Sequence, residues 1–141
     1  MHVEVSRLVA APREKVYAAY TDFESMPKWS KGLSAVRVVQ SEGGSVELQS
    51  ETGSGTGKRT VGARLHLYPP SKVETERRAR FSTISRTVKF DEAPGGTLVT
   101  ASLDVRVRGL WSLVLTPRGR HGAIASATEG LDAFAKYVEE M

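Results

Sequence analysis

The segment SRLVAAPREKVYAAYTDFESMPKW, residues 6–29, contains the change from strand to helix that decides the fold. Residues 2–10 alternate between polar and apolar side chains, which predicts a β-strand. Pro12 stands where the first position of a helix is expected, because the N–H that proline lacks has no partner at that position. Apolar residues then recur at three- and four-residue spacing, so a short helix is predicted up to about Tyr20.

A second short helix is predicted directly after the first. Asp22 suits its N-cap, Pro27 restricts it to a short piece, and Gly32 ends it. One strand followed by two short helices is an unusual opening for a small domain. This opening therefore restricts the folds that the rest of the chain can complete.

The middle of the chain, residues 33–107, follows a period of two and predicts a meander of six strands. Turn sequences separate the strands, among them SEGG at residues 41–44 and EAPGG at residues 92–96, the second being a hairpin signal. The segment KVETERRARF, residues 72–81, is a polar strand, and we expect it near an edge of the sheet.

The last segment, residues 118–141, is predicted to form one long amphipathic helix. Its apolar residues recur at helical spacing, and they are Ile124, Ala127, Leu131, Phe134 and Val138. Charged residues occupy the opposite face, so we expect the apolar stripe to pack on the sheet. A strand, two short helices, six strands and a long helix together predict an α+β fold.

In these features the chain resembles the START-like, helix-grip superfamily, which includes the birch-pollen-allergen, polyketide cyclase/dehydrase and coenzyme-Q-binding groups. The resemblance covers essentially the whole chain. The matching residues are Leu8 at the strand end, Ala11 and Pro12 at the helix start, Val16, Asp22 and Trp29, and the late hairpin from Phe90 through Gly95, Gly96 and Thr97.

The resemblance implies a curved antiparallel sheet of about seven strands that wraps around the long C-terminal helix, with a cavity between them. Members of the superfamily use this cavity for lipids, isoprenoid quinones, sterols, plant hormones or polyketide intermediates. A helix that does not fill the concave side of a sheet leaves an apolar pocket, which is the usual form of a small-ligand site.

Length and composition are those of one globular domain, spanning residues 1–141. Hydrophobic residues make up 40% and charged residues 26% of the chain, which argues against disorder. The chain lacks cysteine, so disulfides, thiolate metal sites and cysteine nucleophiles are excluded. We find neither a signal peptide nor a long apolar run, and a cytoplasmic location is expected.

The formal net charge of +4 permits an acidic partner without requiring one. The basic residues are scattered in pairs, and the basic segment ERRAR at residues 76–80 contains no aromatic residue, so we expect no nucleic-acid binding. Transient contact with a membrane surface is compatible with the charge. The sequence leaves monomer and homodimer open.

The glycine-rich stretch GSGTGKRT, residues 53–60, looks at first like a phosphate-binding loop. The position five before Gly57 is Thr52 rather than glycine, and Arg59 stands where a hydroxyl is required. An alternating strand follows instead of a helix, so no helix N-terminus is available for a phosphate. We therefore interpret the stretch as a hairpin loop and expect no nucleotide cofactor.

Arg64, His66 and Tyr68 share one face of a predicted strand and could supply a cation, an imidazole and a phenol to catalysis. They would do so only if their face were the inward one. The apolar face formed by Val61, Ala63, Leu65 and Leu67 is the better candidate for burial. The three histidines of the chain have no metal-ligand spacing, so no metal site is predicted.

The preferred polar ligand contact is Arg86, which lies on an otherwise apolar face, where a buried arginine needs a partner or a bound anion. Trp111 and Trp29 could flank the cavity entrance or simply fill the core. Arg120 could approach the entrance or extend to water. The other expected ligand contacts are Ile84, Val88, Phe90, Ile124 and Leu131.

Three functions follow from this interpretation. The first is binding, transport or presentation of a hydrophobic small molecule such as a lipid, quinone or polyketide. The second is a polyketide cyclase or dehydratase that works in the same cavity. The third is a protein-interaction module, which a large exposed apolar patch would favour.

Overall fold

The computed structural model describes residues 1–52, 59–78, 82–107 and 117–141. The elements follow the predicted order, with two short helices after the first strand, six strands in succession and a long C-terminal helix. They are β1 (His2–Val9), α1 (Arg13–Thr21), a 3₁₀ helix (Phe23–Lys28), β2 (Leu33–Glu42), β3 (Ser45–Thr52), β4 (Arg59–Tyr68), β5 (Lys72–Arg78), β6 (Ser82–Ala93), β7 (Gly96–Val107) and α2 (Pro117–Glu139).

The strands form one seven-stranded antiparallel sheet in the order β1-β7-β6-β5-β4-β3-β2. The face of the sheet toward α2 is called the concave face, and the other the convex face. Because side chains alternate along a strand, each strand supplies every second residue to the concave face. Val73, Val88 and Val99 are fully buried or nearly so on that face.

Strand β5 lies at the centre of the sheet, so the expectation that residues 72–81 form an edge strand is wrong. Its polar composition has a different cause. Glu76 and Arg78 are exposed on the convex face, where an antiparallel sheet meets water. Thr75 and Arg77 point to the concave side, where they line a cavity rather than a packed core.

The two edges of the sheet differ. Strand β1 packs against α2, and its inward Val3 and Val9 are buried. Strand β2 forms the other edge, and its pairing with β3 is interrupted by two register shifts, between Leu33 and Ala35 and between Val38 and Gln40.

An aromatic cluster closes one end of the space between the sheet and α2. Tyr20 of α1 lies at its centre, with its ring centroid 5.5 Å from Phe90 and 5.6 Å from Phe134. Trp29 lies 4.9 Å from Phe134, and Tyr17 lies 5.3 Å from Phe90 in an edge-to-face arrangement. Such contacts add to the hydrophobic gain from burying large rings, so this end of the molecule is well packed.

The turn between β6 and β7 is held against the end of β1. Gly96 has a φ of 154°, and a Cβ atom at this position would overlap the carbonyl oxygen of Val9, so only glycine fits. The next residue, Thr97, is fully buried and donates its hydroxyl hydrogen to the carbonyl oxygen of Ala11 at 2.8 Å. These contacts join the hairpin to the segment that leads into α1.

The long helix α2 has two unlike halves. In the C-terminal half, Leu131, Phe134, Ala135 and Val138 are buried, which confirms that the apolar stripe packs on the sheet there. In the N-terminal half, none of the side chains that the structure describes is buried. Among the described residues, no helix is long and apolar enough to cross a membrane.

Candidate functional site

A cavity lies between the concave face and α2, and its main lobe has a volume of about 370 Å³. The aromatic cluster forms part of its wall through Tyr20, Trp29 and Phe134. The other large apolar residues of the wall come from the 3₁₀ helix, four strands and α2, and they are Met26, Leu33, Leu48, Leu65, Val88 and Leu131. Such a concave, largely apolar space is the common form of a small-molecule site.

The cavity exists because small residues face each other across it. A core position normally carries a large side chain that fills the space between a helix and a sheet. Here the positions on the sheet carry small residues, namely Ser50, Ala63, Thr75 and Ala101. The positions opposite them on α2 are also small, namely Ser126, Gly130 and Ala133.

A side lobe of about 270 Å³ continues the cavity toward the N-terminal half of α2. Its wall includes Ile84 and Leu103 of the sheet and Ala123 and Ala127 of the helix. Five residues line both lobes and therefore mark their junction, and they are Thr75, Arg77, Arg86, Ala101 and Ser126. The junction is the most polar stretch of the sheet wall.

Arg86 lines the cavity, on the face of the sheet that its alternation with Val88 along β6 predicts. The expectation that Arg86 is buried is wrong, because the residue is exposed to solvent although it lines the cavity. The charge of Arg86 reaches Tyr20. Burial raises the pKa of the Tyr20 phenol above its ordinary value, and the Arg86 charge acts in the opposite direction as the smaller effect. Tyr20 is therefore a neutral hydrogen-bond donor at physiological pH.

An ion pair crosses the wall of the main lobe between the segment before β2 and α2. Lys31 Nζ donates a hydrogen bond to Glu129 Oε1 at 2.7 Å, and both residues line the lobe. This hydrogen bond and the opposite charge lower the pKa of Glu129 and raise that of Lys31. Both side chains are exposed to solvent, so the pair is a weak surface contact.

The three catalytic candidates on β4 lie on the convex face, away from the cavity. Arg64 is exposed and pairs with Glu47 at 2.7 Å, His66 Nδ1 lies 3.1 Å from Ser45 Oγ, and Tyr68 is 46% exposed. The opposite residues of β4, Ala63 and Leu65, line the main lobe. The catalytic hypothesis for Arg64, His66 and Tyr68 is thus corrected, because burial of apolar side chains fixes which face of β4 is inward.

The other predicted contacts divide into three groups. Trp29, Val88 and Leu131 line the main lobe, and Ile84 lines the side lobe. Phe90 is fully buried among Tyr17 and Tyr20, so it belongs to the core. Ile124 and Arg120 lie on α2 outside the described walls of either lobe, with Arg120 exposed, and Trp111 lies outside the described residues.

Sequence reasoning missed several polar residues of the wall, among them Arg77, Tyr20 and Lys31. Arg77 could have been found from Val73, since the two share a parity on β5 and a valine in a polar strand marks the inward face. Lys31 carried no periodic signal, because it lies between elements. Within the described ranges, no group of three or more histidine, aspartate or glutamate side chains is placed to hold a metal ion.

Residues 1–139 match the profile of a family described as polyketide cyclase / dehydrase and lipid transport. A search of curated protein sequences gave no significant match. Solved structures share the fold at low identity. The protein TTHA0849 from Thermus thermophilus has a TM-score of 0.81 and 18% identity, with 98% of this chain and 97% of that chain covered.

Two further structures extend the comparison. The Zhui aromatase/cyclase from Streptomyces sp. R1128 has a TM-score of 0.78 and 18% identity, with 99% of this chain and 93% of that chain covered. Ara h 8.0201 has a TM-score of 0.76 and 16% identity, with 100% and 99% covered. At these identities the similarity shows a common helix-grip fold.

Proposed function

Because the chain belongs to the polyketide cyclase / dehydrase and lipid transport family, we propose that it binds a hydrophobic small molecule between its concave face and α2. The ligand class that fits is a lipid, an isoprenoid quinone or a polyketide. Binding would remove apolar surface of the ligand from water, which contributes about 25 cal/mol per Å². Arg86 would orient the polar end of the ligand.

The observation that carries this proposal is the cavity itself. Its main lobe is walled by the aromatic cluster on one side and by aliphatic side chains of the sheet on the other. A space of about 370 Å³ is within the range of ordinary small-molecule sites. Small residues on both sides of the cavity keep it open, so it does not depend on one movable side chain.

Catalysis in the same cavity, of the cyclase or dehydratase kind, is the second candidate. The observation that favours it is the phenol of Tyr20 beside the Arg86 charge, since a neutral donor near a cation can polarise a carbonyl oxygen. A general base is harder to assign. Glu129 is the one carboxylate among the described residues of the main lobe, and its lowered pKa makes it a poor base near neutral pH.

A protein-interaction role has less support. Exposed large apolar side chains are spread over separate elements of the described chain, and they are Leu8, Val38, Val39, Tyr68, Leu98 and Met141. Leu8 and Leu98 are direct neighbours on β1 and β7 and form a small pair. Scattered apolar residues of this kind are normal on protein surfaces.

The binding proposal is tested with a neutral apolar fluorescent dye and two matched variants of α2. Ser126 lines both lobes and is exposed, so Ser126→Phe places a ring in the cavity without disturbing the core. We expect this variant to lose most of the dye binding of the unmodified protein. Ala125→Phe is the control, because Ala125 is exposed and lies outside both walls.

Equal dye binding by both variants and the unmodified protein would contradict the cavity as the binding site. Native mass spectrometry of protein purified from its own cells, followed by organic extraction, then identifies the ligand class.

A turnover assay with a polyketide-like carbonyl compound, comparing the unmodified protein with Tyr20→Phe, tests the second candidate function, catalysis. Product formation that depends on the Tyr20 hydroxyl would favour the enzyme over the binding protein.

A further inference from the structure

Three arginines whose side chains the structure describes belong to the concave face by strand alternation, and they differ in their partners. Arg7 on β1 pairs with Asp132 of α2, with Nη1 and Oδ1 2.9 Å apart. Arg77 and Arg86 face the cavity junction, and among the described residues neither has a carboxylate within ion-pair distance. The positive charges of Arg77 and Arg86 are therefore not balanced by an acidic partner among the described residues.

The two side chains can reach a common point. In the pairing of β5 with β6, Arg77 stands opposite Ile84 and Arg86 stands opposite Thr75. Arg77 and Arg86 are thus diagonal neighbours on one face, and residues so placed in antiparallel sheets are about 7–8 Å apart. Guanidinium groups at the ends of such long side chains can contact one oxygen-bearing group between them.

The surroundings of the pair supply hydroxyl groups and a concave wall. Thr75 lies directly beside Arg86 on the sheet, and Ser126 faces the same junction from α2. Like charges held together in a concave site raise the local concentration of counter-ions. An apolar ligand that covered the pair without an anion would strip water from two cations and leave them uncompensated, which is costly.

We infer that the ligand of this cavity is an amphipathic anion whose acidic head group, a carboxylate or a phosphate monoester, binds between Arg77 and Arg86 while its apolar body occupies the main lobe. This inference rests on the proposed binding function and names the chemical class of the ligand. The head group lies at the junction of the lobes, and the aromatic cluster contacts the far end of the apolar body.

The test compares ligands that share one apolar chain and differ in the head group. Isothermal titration calorimetry is run with decanol, decanoate and decyl phosphate on the unmodified protein. We expect at least one acid to bind roughly tenfold or more tightly than the alcohol, since hydrogen bonds to charged groups are among the stronger ones. The preference should shrink as salt is added, because Arg77 and Arg86 are both exposed to solvent.

Three variants test whether the preference for the acids over decanol depends on Arg77 and Arg86. Arg77→Gln and Arg86→Gln should each reduce the preference for the acids over decanol, and the double variant should bind neither acid more tightly than it binds decanol. Arg78→Gln is the matched control, because this neighbour carries the same charge but lies on the convex face, with Nε 2.9 Å from Glu76 Oε1. Arg78→Gln should retain the full preference.

The possible outcomes distinguish the anion inference from the proposed binding function on which it rests. Equal affinity for the alcohol and both acids would overturn the anion inference while leaving the binding function intact. An equal loss of preference in Arg78→Gln and the double variant would also overturn it, since a general charge effect would then suffice. Failure of all three compounds to bind would overturn both proposals.

Discussion

The two halves of α2 face the same sheet but differ in what they contribute. From Leu131 to Val138 the helix presents large apolar residues that reach the core, and Phe134 and Val138 are almost fully buried. Before Gly130 it presents Ala123, Ser126, Ala127 and Glu129 to the cavity, and the space opposite them remains open. The C-terminal half stabilises the fold, and the N-terminal half leaves room for a ligand.

The difference shows that side-chain size alone can divide one helix into a structural and a functional part. Backbone geometry is helical throughout α2, so the cavity does not require a kink or a break. Changes in the packed half should therefore lower stability, even where a residue such as Phe134 also lines the cavity, whereas changes in the open half should affect binding without lowering stability. The following predictions test this division, from the largest expected effect to the smallest.

Phe134→Ala should lower the free energy of unfolding by about 3–5 kcal/mol, because it removes a buried ring from the aromatic cluster and leaves a cavity. Urea denaturation followed by circular dichroism measures the loss. Ser126→Ala in the open half of the same helix is the comparison and should stay within about 0.5 kcal/mol of the unmodified protein. Similar losses in the two variants would show that the halves do not differ.

Thr97→Val should cost about 1–3 kcal/mol, because the isosteric change leaves the buried carbonyl oxygen of Ala11 without its donor. The site lies at the packed end, in the contact between the β6–β7 hairpin and the segment before α1. Thr100→Val is the control, since the Thr100 hydroxyl contacts Ser6 Oγ at the surface. A lower denaturation midpoint for Thr100→Val than for Thr97→Val would contradict this account.

Ala127→Leu should change stability by less than about 1 kcal/mol, because the added carbons enter the side lobe rather than a packed core. Affinity for ligands too long for the main lobe should nevertheless fall, since the side lobe into which they would extend becomes smaller. Parallel denaturation and calorimetry separate the two effects. A large destabilisation with unchanged affinity would place Ala127 in the structural half instead.

Lys31→Gln should leave the denaturation midpoint unchanged and modestly accelerate ligand release, because an exposed ion pair across the wall is removed. The pH dependence has a definite sign. The pKa of Glu129 is lowered by Lys31, so the pair persists until the pH falls through that lowered value, where protonation of the carboxylate breaks it. The release rate of the unmodified protein should then approach that of the variant.

Stopped-flow dye displacement measures these release rates. Arg64→Gln provides the control, since its pair with Glu47 has the same 2.7 Å length but lies on the convex face. Faster release from Arg64→Gln as well would show that the effect does not depend on the position of the Lys31–Glu129 pair at the cavity wall.

Much of the fold could be predicted from sequence because it depends on short-range patterns. The alternation in β4 correctly favoured Ala63 and Leu65 as inward, and helical spacing correctly predicted that Leu131, Phe134 and Val138 of α2 are buried. The position of β5 was missed, because a polar strand next to a cavity has the same composition as an edge strand. Strand order is a long-range property that local periodicity does not encode.

The site was less predictable for a related reason. Parity along β6 placed Arg86 on the concave face, but parity cannot say whether the helix opposite fills the space, so the exposure of Arg86 was missed. Phe90 shares that parity and lies in the core instead, because α1 covers its end of the sheet. Whether an inward residue meets a ligand or a neighbour depends on side chains far away in the sequence.

The free edge of the sheet has a consequence for the behaviour of the protein in concentrated solution. A long, regular edge strand offers a row of backbone groups onto which a second molecule can add by strand pairing, which is a common start of aggregation. The two register shifts in β2 interrupt that row, while α2 packs against β1 at the other edge. The residues that shape the cavity can therefore change without creating a continuous edge for polymer growth.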